Sequence, residues 1–245
     1  MALRVGIIGS GAIGSALCAM VEKEPSLELV FVFDERKEKT SVKSLDEGLA
    51  LGVDLVVETA SSEALKQYAQ KVLSHADLLV LSGSAFADKK TENAARKRCK
   101  ESGHKVFASP GAILGLDGIS AVKKMITKSS ITTTKNPKGF GRDDKKKTVL
   151  FDGTARKACI LFPRNVNVAS TLALNSIGFD KTRAKIVSDP SVKANTHEIV
   201  VEGSFGKFLV RVENKPSKNP KTSALAAYTT FQMIKNIHKM QAVML

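Results

Sequence analysis

Three glycines near the N-terminus have the spacing of a phosphate-binding turn. Gly9, Gly11 and Gly14 form a G-x-G-x-x-G sequence between an apolar strand-like segment and the start of a helical pattern. In such a turn the first glycine permits a tight bend, the second lets a pyrophosphate approach the backbone, and the third lets helix and strand pack closely. The helix N-terminus adds N–H donors and the positive end of its dipole. The motif predicts dinucleotide binding by Gly9, Gly11, Ala12, Ile13 and Gly14.

A carboxylate follows at the distance that this interpretation requires. Asp34 comes twenty residues after Gly14, at the end of the second strand-like segment, where it can accept both hydroxyls of an adenosine ribose. This favours NAD, but Arg36 is close enough to meet a 2′-phosphate, so NAD and NADP both stay open. Small and polar residues end a later strand, and we assign Ala60 to the cofactor. The neighbouring Ser61 suits either a helix cap or a cofactor contact, and a glycine-rich turn without ligand is the competing interpretation of the whole motif.

His197 is the candidate for acid–base chemistry. In its strand it shares a face with Ile199 and Val201, whereas Glu198 and Glu202 point the other way, so the imidazole faces inward. A neutral imidazole can remove or return a proton while a hydride moves elsewhere. The alternative is a core histidine whose hydrogen bonds are satisfied. No two histidines have metal-ligand spacing, and we predict no metal site.

Two polar segments of the second half suit ligand binding. In Phe162–Ala169 the asparagines could cap a helix or hydrogen-bond an amide such as the nicotinamide carboxamide, and we assign Asn165 to the substrate. Lys221 and Thr222 place a cation and a hydroxyl at a helix start, which suits a carboxylate. A solvated turn and cap is the alternative for this second segment.

The first half of the chain predicts the sheet that would position the glycine turn. Apolar segments of strand length alternate with helical patterns, and crossovers between buried strands are typical of a parallel sheet. We therefore predict an α/β fold with a Rossmann-type doubly wound sheet. The five predicted strands are Leu3–Ile8, Leu27–Phe33, Val53–Val57, Leu78–Leu81 and Lys105–Ala108.

After residue 112 the pattern changes to the period-2 alternation of half-buried strands. Thr182–Ser188, Thr196–Glu202 and Lys207–Glu213 are predicted strands, and a Gly-Ser-Phe-Gly hairpin loop joins the last two. They predict an α+β domain with a mainly antiparallel sheet.

These patterns predict two domains. We assign residues 1–112 to dinucleotide binding and residues 113–220 to the substrate and catalysis. A helical pattern ends the chain, and we expect the segment 221–245 to pack back on the first domain.

Composition narrows the classes of protein that the chain can represent. The 245 residues are 43% hydrophobic, without an apolar run that could cross a membrane, so we expect a globular cytoplasmic protein without a membrane partner. The three cysteines are too scattered for a disulfide framework. The net charge of +14 lies wholly in residues 113–245, with 23 basic against 9 acidic side chains, and suits an anionic substrate. Without a reading motif it does not predict nucleic-acid binding.

Together these segments resemble the L-aspartate dehydrogenase family over nearly the whole chain. The resemblance implies NAD(P)-dependent oxidation of L-aspartate, a small dicarboxylate, to iminoaspartate for NAD biosynthesis, or to oxaloacetate and ammonia. It implies that His197 is the catalytic histidine and that Ala112 and Asn167 contact the nucleotide, and we expect a homodimer. Pro110 and Leu114 depart from the family pattern. The matching stretches are Gly6–Gly14, Glu58–Ser61, Gly111–Ile113, Gly115–Asp117, Phe162–Ala169, Asn195–Ile199 and Asn219–Ser223.

Two other functions stay open on the sequence. One is another two-domain NAD(P)-dependent reductase of small amino or hydroxy acids, although the lysine or paired-histidine motifs of homoserine and dihydrodipicolinate enzymes are not found. The other is a nicotinamide-binding sensor without turnover, whose basic domain binds a partner.

Overall fold

A computed structural model describes residues 1–163, 165–214 and 224–242. The chain divides into two compact units. The first contains Met1–Ala85, Lys89–Ser109 and the chain from Ala226, and the second contains Phe86–Asp88 and Pro110–Leu225.

The first unit is built on a five-stranded parallel sheet of order β2-β1-β3-β4-β5. This confirms the predicted doubly wound sheet, and β1 and β2 have the predicted bounds. Near-continuous burial of the short inner strands explains their strong apolar signal. The strands are β1 (Leu3–Ile8), β2 (Leu27–Phe33), β3 (Leu55–Glu58), β4 (Asp77–Val80) and β5 (Val106–Ala108).

Helices cross over between these strands. The third begins after Ser61, which is the helix cap that the sequence offered as one of two roles: its hydroxyl accepts a hydrogen bond from the Ala64 N–H at 3.1 Å. The helices are α1 (Ala12–Val21), α2 (Leu45–Ala50), α3 (Ser62–Val72) and α4 (Lys89–Ser102).

The second unit has a mixed sheet of order β10-β9-β6-β8-β7. Only the β6–β8 pair is parallel among its four pairings, so the prediction of a mainly antiparallel sheet is confirmed. The predicted hairpin is also present, with Gly203 opposite Gly206. The elements are α5 (Leu116–Ala121), β6 (Ile126–Lys135), β7 (Thr148–Thr154), α6 (Ala155–Leu161), α7 (Asn167–Asn175), β8 (Arg183–Ser188), β9 (Asn195–Gly203) and β10 (Gly206–Asn214).

The edge strand β7 has no counterpart among the predicted strands, and neither does the central strand of this sheet, β6. Its sequence ITKSSITTTK contains two isoleucines among Ser, Thr and Lys, so the apolar alternation that marks a strand is weak. The failure to predict β6 affects the whole sheet, because β6 lies between β8 and β9.

The C-terminal helix α8 (Ala224–Ala242) belongs to the first unit from Ala226 onward. Its Ile234 and Ile237 join the hydrophobic core that the sheet forms with α1. A salt bridge of 2.7 Å between Lys235 and Glu24 adds a polar contact at the surface. Among the described residues, no helix is long and apolar enough to cross a membrane.

Candidate functional site

The three glycines of the first turn have three different surroundings. Gly9 has a φ of +91°, and a Cβ there would lie 2.7 Å from the Ala60 Cα. A Cβ on Gly14 would collide with the Gly9 carbonyl oxygen and lie 2.6 Å from the Thr59 hydroxyl. No atom of the described residues lies within 4 Å of the position that a Cβ on Gly11 would take. Two glycines are therefore required by the fold, and the open side of Gly11 is available to a ligand.

The N-terminus of α1 begins directly after this open glycine. Gly11 is its N-cap and supplies no side-chain cap, and no acidic residue lies in the first turn. The first N–H groups of a helix have no partner within the helix. Ala12, Ile13 and Gly14 therefore present backbone donors and a positive dipole end, which suit a phosphate.

Asp34 follows β2, and its carboxylate accepts hydrogen bonds from Ser10 and Arg36. Its carboxylate accepts the Ser10 N–H at 2.7 Å and the Ser10 hydroxyl at 3.0 Å. The Arg36 guanidinium binds both carboxylate oxygens at 2.8 Å. The hydrogen bonds from Arg36, with those from Ser10, hold the Asp34 pKa well below its usual value. The carboxylate is therefore charged, and Arg36, which the sequence offered to a 2′-phosphate, is paired with it.

A pocket of about 250 Å³ lies over the carboxyl ends of β1, β2 and β3. It brings together four of the predicted cofactor residues, and Ser61 lines it while capping α3. The carboxyl edge of a parallel sheet is where such folds bind nucleotides. Its lining consists of Ile8, Gly9, Gly11, Phe33, Asp34, Glu35, Arg36, Thr59, Ala60, Ser61, Ala64 and Tyr68.

Glu58, at the end of β3, supports this pocket and was not assigned a role from the sequence. It is 1% exposed. Its Oε1 accepts the Ala60 N–H at 2.8 Å and the Ser82 hydroxyl at 2.9 Å, while Oε2 accepts the Ser82 N–H at 3.0 Å. Burial raises the Glu58 pKa to about 7 against these hydrogen bonds. The one carboxylate thus ties the chain after β4 to the pocket residue Ala60. Its signal in the sequence was an acidic residue ending an apolar strand.

The candidate acid–base residue, His197, lies in β9 of the second unit and is 3% exposed. Its Nδ1 forms a hydrogen bond of 3.1 Å with the Thr133 hydroxyl on β6. Within the part of the chain that the structure describes, Nε2 has no hydrogen-bond partner. Burial first, and then the charge of Lys135, lowers the His197 pKa to about 3. The imidazole is therefore neutral across the physiological pH range.

Lys135 ends β6 and is the nearby residue that sequence reasoning missed. It is 6% exposed, and its Nζ lies 3.4 Å from both the backbone and the side-chain oxygen of Asn165. Burial lowers its pKa to about 8. The structure thus brings the predicted substrate residue Asn165 together with Lys135. The sequence signal for Lys135 was a charged residue at an inward-facing position of a strand. It could not be recognised because β6 was not predicted as a strand.

The structure places the remaining predicted site residues as follows. Ala112 lies in the second unit, where its carbonyl accepts a hydrogen bond of 2.9 Å from the Asn214 side chain. Asn167 begins α7, whose N-cap is Val166, without a side-chain cap. Lys221 and Thr222 lie outside the described residues. Within the described ranges, no group of three or more His, Cys, Asp or Glu side chains could hold a metal ion.

Two family models match the chain, one in each half. Residues 9–109 match the NAD-binding domain of homoserine dehydrogenase, and residues 117–237 match the C-terminal domain of aspartate dehydrogenase. With the sheet and the buried histidine, they define a two-domain NAD(P)-dependent amino-acid dehydrogenase.

Several relatives and one solved structure match this chain over nearly its full length. The chain is 42% identical to the L-aspartate dehydrogenase of Archaeoglobus fulgidus, covering 95% of this chain and 97% of that protein. It is 40% identical to the enzyme of Methanococcoides burtonii, covering 96% and 97%. The crystal structure of aspartate dehydrogenase from Thermotoga maritima superposes with a TM-score of 0.81 at 32% identity, covering 97% of each chain. The chain belongs to the L-aspartate dehydrogenase family.

Proposed function

We propose that this enzyme oxidises L-aspartate to iminoaspartate, which hydrolyses to oxaloacetate and ammonia unless it is consumed for NAD biosynthesis. The observation that carries this proposal is the neutral, buried His197 beside the cation of Lys135. Both residues lie in the segment that matches the aspartate dehydrogenase C-terminal domain. A base beside a cation suits a substrate that has an amine and carboxylates.

The first unit fits the cofactor that this reaction needs. When bound, NAD or NADP supplies a nicotinamide ring that accepts the hydride from the substrate. The open backbone of Gly11 and the N-terminus of α1 suit the pyrophosphate, and Asp34 suits the adenosine ribose. We assign Ala112 and Asn167 as further nucleotide contacts. The charged Asp34 disfavours a 2′-phosphate, so we propose a preference for NAD.

His197 is proposed to take a proton from the substrate amine, directly or through a water. In the tautomer that this requires, Nδ1–H donates to the Thr133 hydroxyl oxygen and Nε2 carries the lone pair. Because burial lowers the His197 pKa to about 3, the ring is deprotonated before the substrate binds. Thr133 then fixes the ring orientation, as a partner of a catalytic histidine commonly does.

The test is an absorbance assay at about 340 nm, where reduced nicotinamides absorb, with NAD and NADP against L-aspartate, homoserine and malate. His197→Asn should lower kcat with L-aspartate by roughly 100-fold or more. The matched control is His75→Asn, because the His75 side chain is exposed and, among the described residues, hydrogen-bonds only the Lys71 carbonyl near the end of α3. Binding of NADH without aspartate-dependent reduction would instead favour the non-catalytic sensor, and turnover of homoserine or malate alone would favour another reductase.

We further propose that the enzyme acts in the cytoplasm as a homodimer, without nucleic-acid or membrane partners. The edge strand β10 supports self-association, because Leu209 on it is exposed. Light scattering on the purified protein measures the oligomeric state directly.

A further inference from the structure

One face of the second sheet combines a buried cation with the candidate base. Side chains alternate along a strand, so Thr133 and Lys135 share a face of β6. The strand register places His197 opposite Thr133, which brings its side chain to the same face. Asn165, in the segment before α7, contacts Lys135 and is the fourth member of this group.

The contacts of Lys135 leave its charge poorly compensated. Both contacts with Asn165 are 3.4 Å long, beyond the usual range of a strong N–H···O hydrogen bond. The Phe140 ring lies 5.7 Å from Nζ and adds a weak cation–π attraction. Among the described residues, Lys135 forms no salt bridge. Burial of an ammonium without a carboxylate partner is costly.

Lys128, on the same strand, has the usual environment of a lysine, which is exposed and paired with a carboxylate. Its side chain is 78% exposed and lies 3.4 Å from the Glu202 carboxylate. The two lysines therefore differ in burial and in the presence of a protein anion. This contrast indicates that the partner of Lys135 comes from outside the chain.

We propose that Lys135 binds a carboxylate of the substrate and so places the amine beside His197. This inference rests on the proposed oxidation of L-aspartate, and it names the residue that recognises the dicarboxylate. It also assigns to Lys135 the role that the sequence suggested for Lys221.

Binding at Lys135 would also assist proton transfer. The Lys135 charge opposes protonation of His197 in the enzyme without substrate. A carboxylate bound at Nζ compensates that charge, so proton acceptance by His197 becomes easier once substrate is present. Substrate binding and base strength are thereby coupled through one ammonium group.

The test compares Lys135→Met, Lys135→Arg and the control Lys128→Met. Loss of a hydrogen bond to a charged group predicts a KM for L-aspartate raised roughly 10- to 100-fold in Lys135→Met. Lys135→Arg keeps the charge and should recover part of the loss, while Lys128→Met should leave KM unchanged. An unchanged KM in a folded Lys135→Met protein would overturn the inference.

A pH series adds a readout that a structural role would not move. Among the residues that the structure describes, His197 is the titratable group on the same face as Lys135, and Asn165 and Phe140 are the uncharged neighbours of its ammonium group. The advantage of wild type over Lys135→Met in kcat/KM should shrink above about pH 8, where Lys135 loses its proton. A constant ratio between pH 7 and pH 10, on either side of the Lys135 pKa of about 8, would count against the ammonium as the ligand.

Calorimetric binding of succinate in the presence of NAD separates this inference from the proposed function. Succinate is a dicarboxylate without an amine and cannot be oxidised at one. If wild type does not oxidise L-aspartate, the proposed function fails, yet weaker succinate binding in Lys135→Met than in wild type would still support Lys135. Equal succinate affinity, or none in either protein, would overturn the inference even if L-aspartate is oxidised.

Discussion

Replacement of Gly11 by Ala tests the cofactor site without disturbing the fold. Gly11 has φ −70° and ψ −165°, which alanine adopts readily, and no atom in the described part of the chain lies within 4 Å of the new Cβ. Alanine loses less chain entropy than glycine on folding, but Gly11 is the N-cap of α1, where glycine is preferred over alanine. The two effects oppose each other, so the free energy of unfolding should change by less than about 1 kcal/mol. The new methyl group occupies the space that a pyrophosphate needs. Overpacking of about 1–3 kcal/mol corresponds to a Kd for NADH raised roughly 5- to 150-fold.

Gly14→Ala is the matched control, because it should affect the stability of the fold first. Its Cβ would collide with the Gly9 carbonyl oxygen and lie 2.6 Å from the Thr59 hydroxyl. We expect a loss of unfolding free energy of about 1–3 kcal/mol, or more, because backbone must move. Urea unfolding and NADH fluorescence titration measure both quantities on both variants. If Gly11→Ala binds NADH as tightly as wild type, the pyrophosphate does not approach this turn, and the assignment of the glycine motif is wrong.

Three further predictions concern the charged groups. Glu58→Gln should lower the free energy of unfolding, measured by urea unfolding, by about 1–3 kcal/mol, because an amide NH₂ would face N–H donors of Ala60 or Ser82. The control Glu63→Gln, at an exposed position, should change it little. Asp34→Ser removes the charge opposed to a 2′-phosphate and should shift the kcat/KM ratio toward NADP by roughly tenfold or more, whereas an unchanged ratio would exclude Asp34 as the selector. Folding lowers the Lys135 pKa from 10.5 to about 8, so the unfolded chain binds more protons between these values and wild-type stability should rise with pH across that window. The total gain is about 3 kcal/mol, and it should be missing from Lys135→Met, which is the more stable protein below pH 8.

Most of the first unit could be predicted from the sequence. Strand β1 is buried on both faces and is therefore a near-continuous apolar run. The edge strand β2 is only partly buried, but six of its seven residues are apolar, so both strands were located to the residue. The second unit was predicted less completely, because β6 carries Ser, Thr and Lys at alternating positions and shows little apolar period. The loss of that one strand removed Thr133 and Lys135 from the candidate site, and the substrate cation was sought in Lys221 instead.

The glycine turn and the start of α1 were determined by the sequence alone, because each depends on residues within a few positions of one another. The face of His197 also followed from the alternation in its own strand. Its neighbours did not, since the hydrogen bond from His197 to Thr133 spans 64 residues and depends on the register between β9 and β6. The burial of Lys135 beside that histidine is likewise a consequence of strand pairing. Only the tertiary structure decides such pairings, because local sequence sets which way a side chain points but not which side chain lies opposite.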